Sequence, residues 1–340
     1  MRRDEGDKKE KSIKRKRKVG VSSREVVWKR NKTVLWYYPA SKKVYRTPLF
    51  LVYSLINEAY ILDLAPGMSM IETFTDQGYD VYLLDFGRPG YEDKDVSLDD
   101  YIMSYIKTGV DRALRHAQTT EMSMVGYCLG GTLAVIYTAI INESIKNLIL
   151  FAPPLDFSSY DVFPNWFQVL KNDSSSVDQL LNDYGMIPSK FINTGLRLAT
   201  SPFTISSKLA SLTPSRSEKT NVKRQLVNEW LSSHIPFSAL TLRQLMDDLG
   251  GKNKLMENKL KIQGQTVYLS NLKANLLVIS TTDDLIVPEK LTYPIMNKVS
   301  SIDKTYKRVK GGHISLALKG ELPYFLEKWL HDRSISVNET

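Results

Sequence analysis

Short apolar runs recur along this chain, separated by turn residues and by stretches whose apolar positions have helical spacing. Pro48-Leu49-Phe50-Leu51-Val52-Tyr53 is a continuous apolar run, the pattern of a strand buried on both faces. Asp80-Val81-Tyr82-Leu83-Leu84-Asp85 is a second, ended by Phe86-Gly87-Arg88-Pro89-Gly90. Over residues 98–117 the period changes. Leu98, Tyr101, Ile102, Tyr105, Ile106 and Val110 share one face of a predicted helix. A β-like run through Met122, Met124 and Val125 follows, then a long apolar run from Thr132 to Ile141. Asn147-Leu148-Ile149-Leu150-Phe151 and Asn275-Leu276-Leu277-Val278-Ile279-Ser280 predict two more strands, and Tyr306 to Val309 another. Residues 321–332 carry Leu322, Phe325, Leu326, Trp329 and Leu330, the spacing of an amphipathic helix. At the front, residues 25–28 and 33–38 form a β-rich entry. Strands alternating with helices predict an α/β protein with a mostly parallel, doubly wound sheet.

Between residues 155 and 265 the pattern breaks. The segment is polar and irregular, with an aromatic group at Tyr160, Phe163, Trp166 and Phe167 and helical spacing around Leu226–Leu249. It shows no clean strand. An insert of this size before the last strands predicts a cap over the active site. The expected layout is a basic tail (1–20), a first core part (21–154), the cap or lid (155–265), a second core part (266–333) and a C-terminal tail (334–340).

Gly126-Tyr127-Cys128-Leu129-Gly130-Gly131 lies where a strand turns sharply into a helix. G-x-C-x-G is the nucleophile elbow with cysteine in place of serine. A nucleophile on so tight a turn sits in strained backbone, and side chains two residues before and after it would strike the neighbouring strand and helix. The helix N-terminus favours a thiolate and a developing oxyanion. Cys128 is the only cysteine in 340 residues.

Two later residues complete a set. Asp284, in Asp284-Leu285-Ile286-Val287-Pro288, and His313, after Gly311-Gly312, each follow a predicted strand. The chain order Cys128, Asp284, His313 is that of α/β-hydrolase triads. His313 is expected to take the thiol proton, and Asp284 to fix the imidazole tautomer. Asp283 competes with Asp284 for that place. The other histidines, His116, His234 and His331, do not follow a late strand in a Gly-rich loop. The backbone N–H of Leu129 and that of Ile56, in the loop after the first buried strand, are the expected oxyanion donors. One cysteine and four scattered histidines offer no zinc-spaced ligand cluster, so no metal is expected.

Charge adds one feature. Residues 1–18 hold ten Lys/Arg against four acids, so +6 of the chain's net +9 lies in that tail. It reads as a solvated arm, with nucleic acid or an anionic surface as the alternative contact. It lacks the interleaved aromatics of a single-strand binder. No apolar stretch is long enough to span a bilayer, and no secretory leader is expected. A single cysteine excludes an intrachain disulfide and fits a reducing cytoplasm.

A thiol nucleophile also bears on substrate. Attack on a thioester exchanges one thioester for another at nearly equal free energy, and the acyl group can wait for a second acceptor. The stretches Ile56-Asn57-Glu58-Ala59-Tyr60-Ile61-Leu62-Asp63-Leu64, Asp80 to Gly87, the elbow, Phe163-Pro164-Asn165-Trp166, Asp284 to Pro288 and Gly311 to Ile314 together resemble the catalytic (PhaC) subunit of polyhydroxyalkanoate synthases. The two-subunit types, class III and class IV, are the most similar, and the resemblance runs from Pro48 to Trp329 within the α/β-hydrolase fold.

This resemblance implies polymerisation of (R)-3-hydroxyacyl-CoA to a storage polyester with release of CoA. Cys128 would hold the growing chain, and His313 with Asp284 would activate the 3-hydroxyl. The aspartate in that family is tied more to elongation than to acylation. The resemblance further implies a homodimer, a small partner subunit of PhaE or PhaR type, a cytoplasmic place at the polymer granule surface, and no cofactor beyond the CoA thioester substrate. Phe86 stands where the family has Trp, and similarity across 155–265 is weak outside Asn165-Trp166 and Glu229-Trp230. Two other enzyme readings stay open: a cysteine hydrolase similar to dienelactone hydrolases, and a thioesterase or acyltransferase acting on acyl-CoA. A non-enzyme reading is a granule- or nucleic-acid-associated protein working through the basic tail.

Overall fold

The computed structural model describes residues 20–141, 144–158, 185–190, 225–230 and 233–338. The basic tail and the aromatic group at 160–167 lie outside the described residues, as does most of 159–224.

Eight strands form one sheet: β1 (Glu25–Arg30), β2 (Thr33–Tyr38), β3 (Leu49–Val52), β4 (Val81–Asp85), β5 (Met122–Tyr127), β6 (Ile145–Phe151), β7 (Asn275–Thr281) and β8 (Lys304–Val309). Their order across the sheet is β1-β2-β4-β3-β5-β6-β7-β8. The six strands from β4 to β8 run parallel. β2 is antiparallel to both of its neighbours, β1 and β4. Helices occupy the crossovers, which a parallel sheet requires. Every residue of β3 and β5 is buried, as their uninterrupted apolar runs predict for central strands.

Helix α1 (Met70–Asp76) was not anticipated from the apolar spacing. Its start is written locally: Ser69 Oγ accepts the Glu72 N–H at 2.9 Å, satisfying one of the orphan donors of the first turn. The stretch predicted as one helix over 98–117 has two windings. Asp100–Ile106 is π-helical and Lys107–Ala117 (α2) is α-helical. Helix α3 (Leu129–Ile140) carries no charged side chain, and all but its last residue are buried. A helix apolar all round must be covered all round. Its one-turn-in Thr132 places Oγ1 2.7 Å from the Pro154 carbonyl, so the hydroxyl is not left unpaired.

Within 155–265 the described residues contain short strands that the sequence pattern did not show. Met186–Ile187 pairs antiparallel with Phe237–Ser238, and Lys261–Ile262 with Gln265–Thr266. Two-residue strands are too short to display an alternation. The helical spacing around Leu226–Leu249 resolves into helical residues 225–230, helix Ala239–Gln244 and a π-helical turn, Leu245–Gly251. The last helix, α4 (Tyr324–His331), buries Leu326, Trp329 and Leu330. Residues 335–337, set apart in sequence as a tail, pair with the segment before β3: Arg46 N–H donates to Ile335 O at 2.8 Å and Val337 N–H to Val44 O at 2.9 Å.

Candidate active site

Cys128, Asp284 and His313 follow the carboxyl ends of β5, β7 and β8, and Ile56 follows β3. In a parallel sheet those ends share one edge, so topology alone gathers four residues spread over 258 positions of sequence.

Cys128 has φ 53° and ψ −129°, a region that L-residues avoid. The turn is fixed from both sides. Cys128 N–H donates to Phe151 O at 2.8 Å, and Gly131 N–H donates to Cys128 O at 2.8 Å. The neighbouring glycines answer to contact. A Cβ on Gly126 would lie 2.5 Å from Gly131 Cα, and one on Gly130 would lie 2.3 Å from the Val52 carbonyl oxygen. Elbow and helix can therefore approach β3 and β5 only with hydrogen at both positions. Leu129, the first residue of α3, has an N–H with no acceptor inside the helix, as every helix start does.

His313 Nδ1 lies 2.7 Å from Asp284 Oδ2, and the Asp284 side chain is fully buried. The carboxylate is itself oriented: Oδ1 accepts the N–H groups of Ile286 at 2.9 Å and Val287 at 2.8 Å. Asp284, and not the exposed Asp283, meets the imidazole. Burial by itself pushes the imidazole pKa down. That is outweighed by the charge of Cys128, hydrogen bonds to Asp284 and Cys128, and the charge of Asp284, which together raise it to about 10. With Nδ1 given to Asp284, Nε2 is the ring atom left for the thiol. The arrangement is a buried thiol–imidazole–carboxylate relay suited to nucleophilic attack on an acyl carbon.

Ile56 lies on the loop after β3, and its N–H donates to Ser54 Oγ at 3.3 Å. An oxyanion at this position would compete with a long hydroxyl bond. The remaining histidines are engaged elsewhere. His116 Nδ1 lies 2.7 Å from Tyr82 Oη, His331 Nδ1 lies 2.8 Å from Tyr45 Oη, and the backbone of His234 pairs with that of Asn57 in an antiparallel bridge.

Two tyrosines at the site were not singled out from the sequence. The Tyr127 hydroxyl donates to the His313 carbonyl at 2.6 Å, and its ring stacks on Phe151 with centroids 5.4 Å apart. The buried Tyr53 ring lies 5.9 Å from that of Tyr127. Burial first, then the charges of Cys128 and Tyr127, hold the Tyr53 phenol well above its ordinary pKa, so it stays neutral. Tyr127 sits inside the elbow motif and Tyr53 ends the first buried strand, so position was the available signal for both.

The family description "alpha/beta hydrolase fold" matches residues 48–319. The chain belongs to the α/β-hydrolase fold family. Solved structures agree on the fold. A monoacylglycerol lipase from Paleococcus ferrophilus superposes with TM-score 0.52 at 17% identity, covering 88% of this chain and 99% of the lipase. A monoglyceride lipase from Saccharomyces cerevisiae gives 0.57 at 14%, covering 93% and 96%.

A second description, the N-terminus of poly-beta-hydroxybutyrate polymerase (PhaC), matches residues 5–74. The poly(3-hydroxyalkanoate) polymerase subunit PhaC of Haloferax mediterranei is 32% identical over 93% of this chain, which spans 65% of that relative's length. The PhaC subunit of Thiocystis violacea is 29% identical, with 93% of this chain and 90% of the relative covered. Within the α/β-hydrolase fold, the chain is similar to these PhaC polymerase subunits over 93% of its length.

Proposed function

We propose that the chain polymerises (R)-3-hydroxyacyl-CoA into a polyhydroxyalkanoate and releases CoA. The observation that carries this reading is the nucleophile elbow holding a cysteine, with His313 and Asp284 in relay, in a chain alike to PhaC subunits over 93% of its length.

The steps balance without a cofactor. His313 takes the Cys128 proton, and the thiolate attacks the carbonyl carbon of the acyl-CoA. The N–H groups of Leu129 and Ile56 receive the oxyanion. The carbon–sulfur bond to CoA breaks, and CoA leaves with the proton from His313. The acyl group is now a thioester on Cys128. His313, oriented by Asp284, then removes the proton of a 3-hydroxyl. That oxygen attacks the Cys128 thioester, an ester bond forms, and the thiolate returns. Thioester exchange is near thermoneutral, and ester formation from a thioester runs downhill, so the second step drives the chain forward.

The same likeness supports a homodimer, a small subunit of PhaE or PhaR type, and work at the surface of the polymer. Among the described residues no helix is long and apolar enough to cross a membrane. The test is intact-mass analysis after mixing with (R)-3-hydroxybutyryl-CoA. One hydroxybutyryl group should appear on Cys128, the sole cysteine, and none on Cys128→Ala. An acyl group that persists on the Ala variant would sink the reading.

A further inference from the structure

Residues 54–58 carry the second proposed oxyanion donor, yet little inside that loop holds it. Its own support is the 3.3 Å bond between Ile56 N–H and Ser54 Oγ. The firmer contacts come from residues about 175 positions later, where the inserted segment returns to the core. Trp230 Nε1–H donates to Glu58 O at 2.9 Å. Asn57 Nδ2–H donates back to Trp230 O at 3.3 Å. Ile235 N–H donates to Ile56 O at 3.0 Å, and Asn57 pairs with His234 as an antiparallel bridge. The hydroxyls of Tyr60 and Ser233 lie 3.3 Å apart, and the Ser233 hydroxyl also donates to Trp230 O at 2.7 Å.

Trp230, Asn57 and His234 are all buried. Packing alone would be served by a phenyl ring, but the indole N–H is spent on a backbone carbonyl of the loop. The carbonyls of Ile56 and Glu58 are thus both fixed from outside, with Asn57 pinned between them. The planes held in this way, Ile56–Asn57 and Glu58–Ala59, follow directly on the plane that carries the Ile56 N–H and limit how far it can turn, and a donor must point at the developing charge before reaction to stabilise it.

We infer that Trp230 together with residues 233–235 is a positioning element for the oxyanion loop, with Trp230 and Asn57 as its positioning residues, so that the seating of these residues sets the aim of the Ile56 N–H. This rests on the proposed function for its catalytic consequence, while the mechanical coupling stands apart from it.

The test uses the full chain with its partner subunit and the variant Trp230→Phe. Asn57→Asp, which keeps the outline of the side chain and removes the amide donor, serves where the first variant fails to fold. Amide hydrogen exchange over residues 54–60 should quicken at least tenfold. Single-turnover CoA release from (R)-3-hydroxybutyryl-CoA should slow about 10- to 100-fold, less than the roughly 10²- to 10³-fold of deleting an oxyanion donor, because the donor is misaimed and not removed. Alkylation of Cys128 by iodoacetamide, which builds no oxyanion, should stay within about twofold of the parent rate. Unchanged exchange overturns the inference whatever the chain catalyses. Equal losses in acylation and alkylation also overturn it, because they mean general damage to the site. A parent chain that releases no CoA counts against the proposed function alone, and exchange still decides the coupling.

Discussion

The Tyr127 hydroxyl donates to the backbone carbonyl of His313 across 2.6 Å, so the strand that leads into Cys128, the proposed nucleophile, also holds the loop that carries His313, the proposed base. Tyr127 and His313 are 186 residues apart, and one hydrogen bond fixes their relative height at the sheet edge. Tyr127→Phe leaves the part-buried His313 carbonyl without this partner, at a cost of about 1 kcal/mol. The expected result is a lower Tm and a roughly tenfold slower single-turnover CoA release, with KM little changed, because the loop and not substrate binding is loosened. An unchanged single-turnover rate would show that the loop holds its place without the phenol.

Asp284→Asn should be severe despite its small change in shape. Ile286 and Val287 N–H groups both point at Oδ1, so the amide oxygen of Asn takes that place and the NH2 turns toward His313. The imidazole must then accept at Nδ1 and carry its proton on Nε2, where it cannot take one from the thiol. Steady-state CoA release during polymer growth, which passes through both proton transfers, should fall about 10³- to 10⁴-fold. Unchanged CoA release would remove Asp284 from the relay.

Gly130→Ala probes the closeness of elbow and sheet. The new Cβ would stand 2.3 Å from Val52 O and 2.6 Å from the Tyr53 carbonyl carbon, both backbone atoms with little room to move. A loss of about 1–3 kcal/mol in chemical denaturation is expected, together with slower acylation, since the shift passes directly to Cys128. Full stability in this variant would contradict the packing described for the turn.

The His313 pKa gives a pH signature. Its value in the folded chain is raised, from 6.5 to about 10. A group raised on folding contributes stability that is fully present below its unfolded pKa and lost as pH climbs through the folded one. The excess stability of the parent over His313→Gln should therefore be greatest near pH 6 and shrink steadily toward pH 10. Denaturant titrations of both chains at several pH values measure it. A difference that grows with pH would contradict the buried thiol–imidazole–carboxylate interaction.

What could be read in advance follows from physical range. The strand runs at 48–53 and 275–280 stand out because burial on both faces demands unbroken apolar sequence. The elbow stands out because close approach demands glycine at 126 and 130. The order of Cys128, Asp284 and His313 was visible because parallel topology delivers residues after successive strands to one edge. Helix Met70–Asp76 was missed as an apolar pattern, since two turns hold too few positions, although Ser69-x-x-Glu72 marked its cap. The π winding at Asp100–Ile106 shares its apolar face with an ordinary helix and leaves no separate trace. The ties from Trp230 to Glu58 and from Tyr127 to His313 end on backbone carbonyls, which every residue has, so no residue type announced them.

The most direct test supplies (R)-3-hydroxybutyryl-CoA to the chain together with a PhaE- or PhaR-type subunit and follows CoA and polymer mass together. One hydroxybutyrate should enter polymer for each CoA released, and Cys128→Ala should yield neither. CoA release accompanied only by free 3-hydroxybutyrate would contradict the account and make the chain a hydrolase.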